Sequence, residues 1–392
     1  MSTSARWRAG LALLGAAGLV GAGVLWARGF GVRLDGGEEA TARLRRPRYA
    51  EIPKIDVHVH LPPDRAADAI RVLRAHGIEM ALNASGGHPG DRLDASAAAS
   101  RGVGGRLPPY CHLDWSAAES PGFAAYVRVA LRECRDAGAV GLKIFKALGL
   151  GYRLSDGSLL RADDPRLDPA FEEAGRLRLP VLIHTGDPQA FFRPPTPENE
   201  RYDELSAHPG WSFYGPRPDG GEWPSWEELF AQFEARVARH PETRFLGAHF
   251  GNAPEEPERV GRMLARYPNL YVDTAARVPE IGRYPETREV FLRHPDRILF
   301  GTDFQMGSGG EYVLGSAGER PDPASRVGPF FDAHWRYFET ADRAFAHPTP
   351  IQGRWTIDGI ALPRDVLEQL YHRNAEQLFG VRLPSTTPPP GG

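Results

Sequence analysis

From Lys54 onward the chain repeats one unit eight times: a short β-rich run, a polar loop and an amphipathic stretch. The strand runs fall at 54–61, 78–85, 106–115, 139–147, 180–186, 243–251, 269–277 and 297–304. Helical patterns at 64–76, 123–137, 226–240 and 257–267 lie between them. Ala124, Val127, Leu131 and Cys134 recur at spacings of three and four, the stripe a helix lays on a sheet. Such alternation predicts a parallel sheet covered by helices. Eight units in roughly 330 residues predict an α/β fold, the closed (β/α)8 TIM-type barrel, with its active site at the carboxyl ends of the strands. No glycine-rich dinucleotide fingerprint follows the first strand, which argues against an open Rossmann sheet.

Composition narrows the partners. Hydrophobic residues at 41% and charged residues at 25% are globular values and exclude wholesale disorder. A net charge of −3 excludes a nucleic-acid binder that works by neutralising phosphates and leaves a small molecule as the expected partner. Forty-four glycines and 36 prolines imply long irregular loops. Two loops stand out, 187–224 with its cluster of Phe191, Phe192, Trp211, Phe213, Tyr214 and Trp223, and the glycine-rich 305–329. Both leave carboxyl ends of strands, where long connections serve as lids or substrate walls. Cys111 and Cys134 are too few for a disulfide framework or a cysteine metal site. They read as two buried thiols, with a single bridge open to an exported chain.

The ends of the chain read differently from its middle. Arg6 and Arg8 precede an uncharged run from Ala9 to Ala27, and no acidic residue appears before Asp35. Nineteen helical residues approach the roughly 30 Å of a bilayer's hydrocarbon core. Residues 1–50 are therefore expected to be a membrane anchor or signal segment with an Arg-rich linker, placing the protein at the membrane or exported into the cell envelope. The barrel is expected over 51–383 and a disordered Pro/Gly tail over 384–392. Homo-oligomerisation is left open.

Polar residues on the strands carry the chemistry. The first strand reads Asp56-Val57-His58-Val59-His60, and regular alternation puts Asp56, His58 and His60 on one face and Ile55, Val57, Val59 and Leu61 on the other. Two histidines so spaced can share a divalent ion, although His-x-His alone is a weak signal. Three later strands also end in a polar group: His184 after Val181-Leu182-Ile183, His249 after Phe245-Leu246-Gly247-Ala248, and Asp303 after Ile298-Leu299-Phe300-Gly301-Thr302. Strands buried on both faces should be continuous apolar runs, so each such group needs a partner to offset its desolvation. Singly, each reads as a hydrogen-bonded core group. Jointly, His58, His60, His184, His249 and Asp303 at one barrel mouth imply a metal.

Only Lys54, Lys143 and Lys146 of the 47 basic residues are lysines. Lys143 lies inside an apolar strand, where it can lose its proton and add CO2 to give a carbamate that bridges two cations. A snorkelling lysine or an ion pair with Asp303 is the plainer account. Lys146 receives no role.

This constellation resembles the amidohydrolase superfamily, in the amidohydrolase-related branch that includes aminocarboxymuconate semialdehyde decarboxylase-like enzymes. The likeness rests on Asp56–His60, Lys143, His184-Thr185-Gly186, Ala248-His249 and Gly301-Thr302-Asp303, and spans roughly residues 50–380. It implies a metal-dependent hydrolase fold and a divalent ion, Zn²⁺ as the expected species, held by His58, His60, His184 and Asp303. With His249 and a carboxylated Lys143 as further ligands the centre would hold two ions. Without them it holds one, the arrangement expected for this branch. Asp303 would then carry a proton, His249 would polarise a carbonyl or stabilise an oxyanion, and Arg277 would clamp a substrate carboxylate. The leading expectation is hydrolysis of a C–N or C–O bond in an amide, lactone or ester. Non-oxidative decarboxylation of an unsaturated or aromatic acid is the alternative, followed by a catalytically silent membrane-tethered binding barrel and a purely structural barrel without metal.

Overall fold

The computed structural model describes residues 48–383. The expected membrane or signal segment, nearly all of its linker and the 384–392 tail lie outside the described residues. No helix among the described residues is long and apolar enough to cross a membrane.

Eight parallel strands form the barrel: β1 (Lys54–His60), β2 (Ile78–Asn83), β3 (Tyr110–Cys111), β4 (Gly141–Ile144), β5 (Val181–Ile183), β6 (Phe245–Gly247), β7 (Leu270–Asp273) and β8 (Ile298–Leu299). β3 to β8 make one continuous ladder, and β1 pairs with β2. β2 joins β3 where Ala81 N and Asn83 N donate to Arg106 O and Pro108 O at 2.9 and 3.0 Å. The circle closes where Val57 N donates to Phe300 O and Asp303 N to His58 O, both at 2.9 Å.

The helices pack outside. Among them are α1 (Ala66–Ala75), α2 (Leu93–Gly102), α3 (Phe123–Asp136), α4 (Asp168–Arg176), α5 (Trp226–Arg239), α6 (Pro257–Arg266), α7 (Thr287–Arg293) and α8 (Val327–Glu339). α3 buries Phe123, Val127, Ala130, Leu131 and Cys134, close to the stripe read from the sequence. α5 starts at a capping box in which Ser225 and Glu228 satisfy each other's backbone N–H groups. Cys111 and Cys134 are joined as a disulfide with Cα atoms 5.8 Å apart, tying the end of β3 to α3.

Two expectations about the strands change. First, β1 does not alternate regularly. Its register against β2 slips between Asp56 and Val59, where three residues of β1 span two of β2. Such a bulge re-aims the side chains beyond it. Ile55 and Val57 therefore line the barrel floor with Leu182, Leu246 and Leu299, whereas Val59 and Leu61 pack with the outer core. Asp56 does not share the histidines' face: its Oδ1 accepts from His58 N at 3.0 Å and Thr302 N at 3.1 Å, and Oδ2 accepts from the Thr302 hydroxyl. Asp56 is a strut between β1 and the segment after β8.

Second, the ladders end before the polar residues. β6, β7 and β8 stop at Gly247, Asp273 and Leu299, and the chain then turns over the mouth through left-handed residues His249, Phe250, Ala276 and Asp303. Arg277 accordingly lies beyond β7 and not at its end. Gly301 permits this crossing, because a Cβ there would lie 3.2 Å from the His58 Cβ and 3.3 Å from the Ala275 Cβ.

The two long loops are structured. In 187–224, Phe192 stacks on Phe213 at 5.1 Å and Phe213 meets Trp223 edge-on at 5.1 Å. Arg201 anchors that loop, fully buried between Glu204 at 2.8 Å and Glu280. The glycine-rich 305–329 stretch, expected to be an irregular loop, begins with a hairpin of β9 (Phe304–Met306) and β10 (Tyr312–Leu314), whose β9 pairs in parallel with β1.

Candidate metal centre

The bulge in β1 and the left-handed turn at Asp303 bring three groups together. His58, His60 and Asp303 each offer one ligand atom within 4.8 Å of the others. His58 Nδ1 lies 2.9 Å from Asp273 Oδ2, and His60 Nδ1 lies 2.7 Å from Ser85 Oγ. With both Nδ1 atoms engaged, the Nε2 atoms are the ones left for the centre. His60 Nε2 is 3.4 Å from Asp303 Oδ1, and that buried oxygen has no hydrogen-bond partner. A buried unpartnered carboxylate oxygen is costly unless something else satisfies it. Asp273 also lies near His58 and His249 in a second close group, but its Oδ1 already accepts from His249 N at 2.9 Å and Ala275 N at 3.1 Å.

The other side of the mouth is arranged differently. His249 has a left-handed backbone with φ of +56°, rare for a non-glycine residue and held here by Asp273. Its Nδ1 donates to Ala275 O at 2.9 Å, so a neutral ring carries its lone pair on Nε2. His249 thus presents a proton acceptor, which corrects the expectation that it donates to a carbonyl or an oxyanion. The His184 ring meets His249 edge-on at 4.4 Å, but its Nε2 donates to Gly186 O and lies 3.8 Å from Asp187 Oδ1. The structure places His184 beside the cluster without turning that nitrogen into it.

Burial sets the electrostatics. It holds His58, His60, His184 and His249 well below the ordinary histidine value, keeping the rings neutral, the state in which they can ligate. Burial raises Asp303 to about 7, against the opposing charges of Lys143 and Arg277. It lowers Lys143 to about 8, with Asp273 and Asp303 pulling the other way. Lys143 Nζ faces His58 Nε2 at 3.3 Å. Arg277 is buried, donates to Ala276 O at 3.1 Å, and has Glu280 Oε1 at 3.8 Å. Lys146 is a half-buried partner of Asp187 beneath Trp211 and Phe213.

The sequence reading passed over Asp273. Its signal was present, an acid ending the apolar run Leu270-Tyr271-Val272, the same pattern that marked Asp303. Ser85 and the Arg201–Glu280 pair carry no such mark, because their partners lie far away in sequence.

The family model described as Amidohydrolase matches residues 55–381. The chain belongs to the amidohydrolase family. No curated protein matches it. Solved structures are similar to it at low identity. One is 2,6-dihydroxybenzoate decarboxylase from Rhizobium: 18% identical, 84% of this chain and 98% of that one covered, TM-score 0.47. Another is 4-oxalomesaconate hydratase from Rhodopseudomonas palustris: 16%, 83% and 95%, TM-score 0.48. A third is 5-carboxyvanillate decarboxylase from Novosphingobium aromaticivorans, complexed with manganese: 14%, 86% and 99%, TM-score 0.45.

A divalent cation suits this chain on its own geometry. Two neutral imidazoles with Nδ1 engaged and one unpartnered carboxylate oxygen make a nitrogen–oxygen donor set suited to Zn²⁺ or Mn²⁺. A carboxylate and a hydroxyl behind the two histidines match the outer partners that metal-ligating imidazoles keep.

Proposed function

We propose that this protein is a metal-dependent hydrolase that cleaves a C–N or C–O bond in a small amide, lactone or ester bearing an acid group. One observation carries the reading: the unpartnered Asp303 Oδ1 lies 3.4 Å from His60 Nε2, and the His249 ring, whose free lone pair is on Nε2, lies 4.9 Å from the His58 ring. The cation, Zn²⁺ in this proposal, would be held by His58, His60 and Asp303, with His184 joining after a rotation that frees a ring nitrogen. Bound there, it supplies Lewis acidity toward the substrate carbonyl and makes water more acidic.

The chain's own residues do the rest. His249 Nε2 takes a proton from water, and its Nδ1–H···O bond to Ala275 keeps the ring aimed while it does so. Asp303 takes the second proton of that water as the C–N or C–O bond breaks and passes it to the leaving nitrogen or oxygen, so the new acid product leaves as a carboxylate and His249 returns its proton to solvent. Arg277 holds the substrate's acid group by charge-assisted hydrogen bonds. The aromatic side chains of 187–224 limit water at the mouth. Two proton acceptors at the centre favour hydrolysis, which must deprotonate water.

Decarboxylation of an unsaturated or aromatic acid is the second reading. It is favoured by Arg277, whose charge reaches both His249 and Asp303 and would hold a carboxylate next to the centre. The test is product analysis in ¹⁸O-labelled water, with the metal-loaded protein given amides, lactones, esters and aromatic acids. Label in a product carboxyl group supports hydrolysis. CO2 release without label incorporation overturns it in favour of the second reading.

A further inference from the structure

Asp273 has no role in the proposed proton transfers, yet it is fully buried and engaged on both oxygens. We propose that Asp273 is a positioning residue that fixes the tautomer of His58 and thereby makes its Nε2 available to a divalent cation. This rests on the metal-site reading above.

The argument begins with what His58 faces. Asp273 Oδ2 lies 2.9 Å from Nδ1, and an ionised carboxylate can only accept. Lys143 Nζ lies 3.3 Å from Nε2, and an ammonium can only donate. The two neighbours, on β7 and β4, select the same tautomer: the proton on Nδ1 and the lone pair on Nε2.

The other carboxylate oxygen explains why an acid is needed. Oδ1 accepts from His249 N at 2.9 Å and from Ala275 N at 3.1 Å, so an oxygen is obligatory there. An amide at this position must keep its oxygen toward those two N–H groups and turn its NH2 toward His58 Nδ1. Nδ1 must then accept, so the proton moves to Nε2, the Lys143 ammonium loses its acceptor there and turns away, and the lone pair the cation needs is gone. One carboxylate thus sets the His58 ring and the left-handed His249 backbone together.

The test is on the full chain labelled with ¹⁵N-histidine and freed of metal by chelation. Long-range ¹H–¹⁵N correlation reads the tautomer, and His58→Gln assigns the signal. The wild type is expected to show His58 protonated on Nδ1, and Asp273→Asn to show it protonated on Nε2. Mn²⁺ affinity, measured by competition with a chelator, should fall about 10–100-fold in Asp273→Asn. Should that variant fail to fold, the wild-type tautomer decides alone. A wild-type His58 protonated on Nε2, or a folded Asp273→Asn with unchanged Mn²⁺ affinity, overturns the proposal. A wild type with the Nδ1 tautomer but no Mn²⁺ binding supports the tautomer assignment and overturns the metal-site reading instead.

Discussion

Both ends of the barrel bury a lysine, and the two are held in opposite ways. At the floor, Lys54 sits between the rings of Trp335 and Tyr371 at 4.9 and 4.7 Å and donates to Ile52 O at 3.0 Å and Tyr49 O at 3.4 Å. Glu339 is close enough to stabilise its charge, and the same carboxylate accepts from Tyr371 OH at 2.9 Å. At the mouth, Lys143 has one ring, Phe145 at 5.3 Å, and shares His58 Nε2 with whatever else binds there. Burial lowers both to about 8. Equal burial therefore does not imply an equal role. The floor lysine is saturated by fixed partners, whereas the mouth lysine occupies a site in which a cation competes for the same lone pair.

The largest expected effect separates the two ends by activity. Asp303→Ala should lower turnover by about 10³-fold or more, while Lys54→Met leaves it within about twofold, read from initial rates. Comparable losses in both would erase the distinction.

Stability should divide them the other way. Lys54→Ala removes the cation from its aromatic box and leaves Glu339 buried without it, costing about 2–5 kcal/mol in urea unfolding. Lys143→Met in the metal-free protein should change stability by less than about 1 kcal/mol, because an apolar side chain of similar length replaces a poorly compensated charge. The metal content of Lys143→Met sharpens the contrast. An unchanged value fits a one-ion centre, and loss of half establishes two ions bridged through a modified lysine.

A smaller effect is expected at the mouth's rim. Arg277→Met should raise KM about 10–100-fold for acid-bearing substrates and leave their neutral analogues nearly unchanged. Equal shifts for both would make Arg277 a partner of Glu280 alone.

The smallest effect is in pH. The folded value of Lys54, about 8, lies below the ordinary 10.5, so between these values the unfolded chain binds more protons. Its contribution to stability is complete above 10.5 and is lost as pH falls through about 8. Stability in the metal-free state should therefore rise from pH 8 toward 10.5, and Lys54→Met should flatten that slope.

Much of this was legible in the sequence, and the failures share a cause. Periodicity located all eight strands and four of the helices around them, α1, α3, α5 and α6, since both reflect which side chains meet the outer core. The reading of polar residues on the strands singled out His58, His60, His184, His249 and Asp303, of which the structure brings His58, His60 and Asp303 within ligand distance of one another and leaves His184 Nε2 on Gly186 O. It misjudged Asp56 because a bulge slips the register in one ladder, and a period-two reading has no term for that. It extended β6, β7 and β8 too far because the left-handed turns at His249, Ala276 and Asp303 use residues that seldom adopt them. It missed Asp273, whose importance lies in contacts to β1 and to the turn after β6.

Elemental analysis after purification without chelators, on the wild type beside Asp303→Asn and His58→Ala, tests the central claim most directly. The account predicts about one divalent ion per chain in the wild type and less than a tenth of that in either variant, with circular dichroism unchanged. Equal metal in all three, or none in the wild type after reconstitution with Zn²⁺ or Mn²⁺, would contradict it.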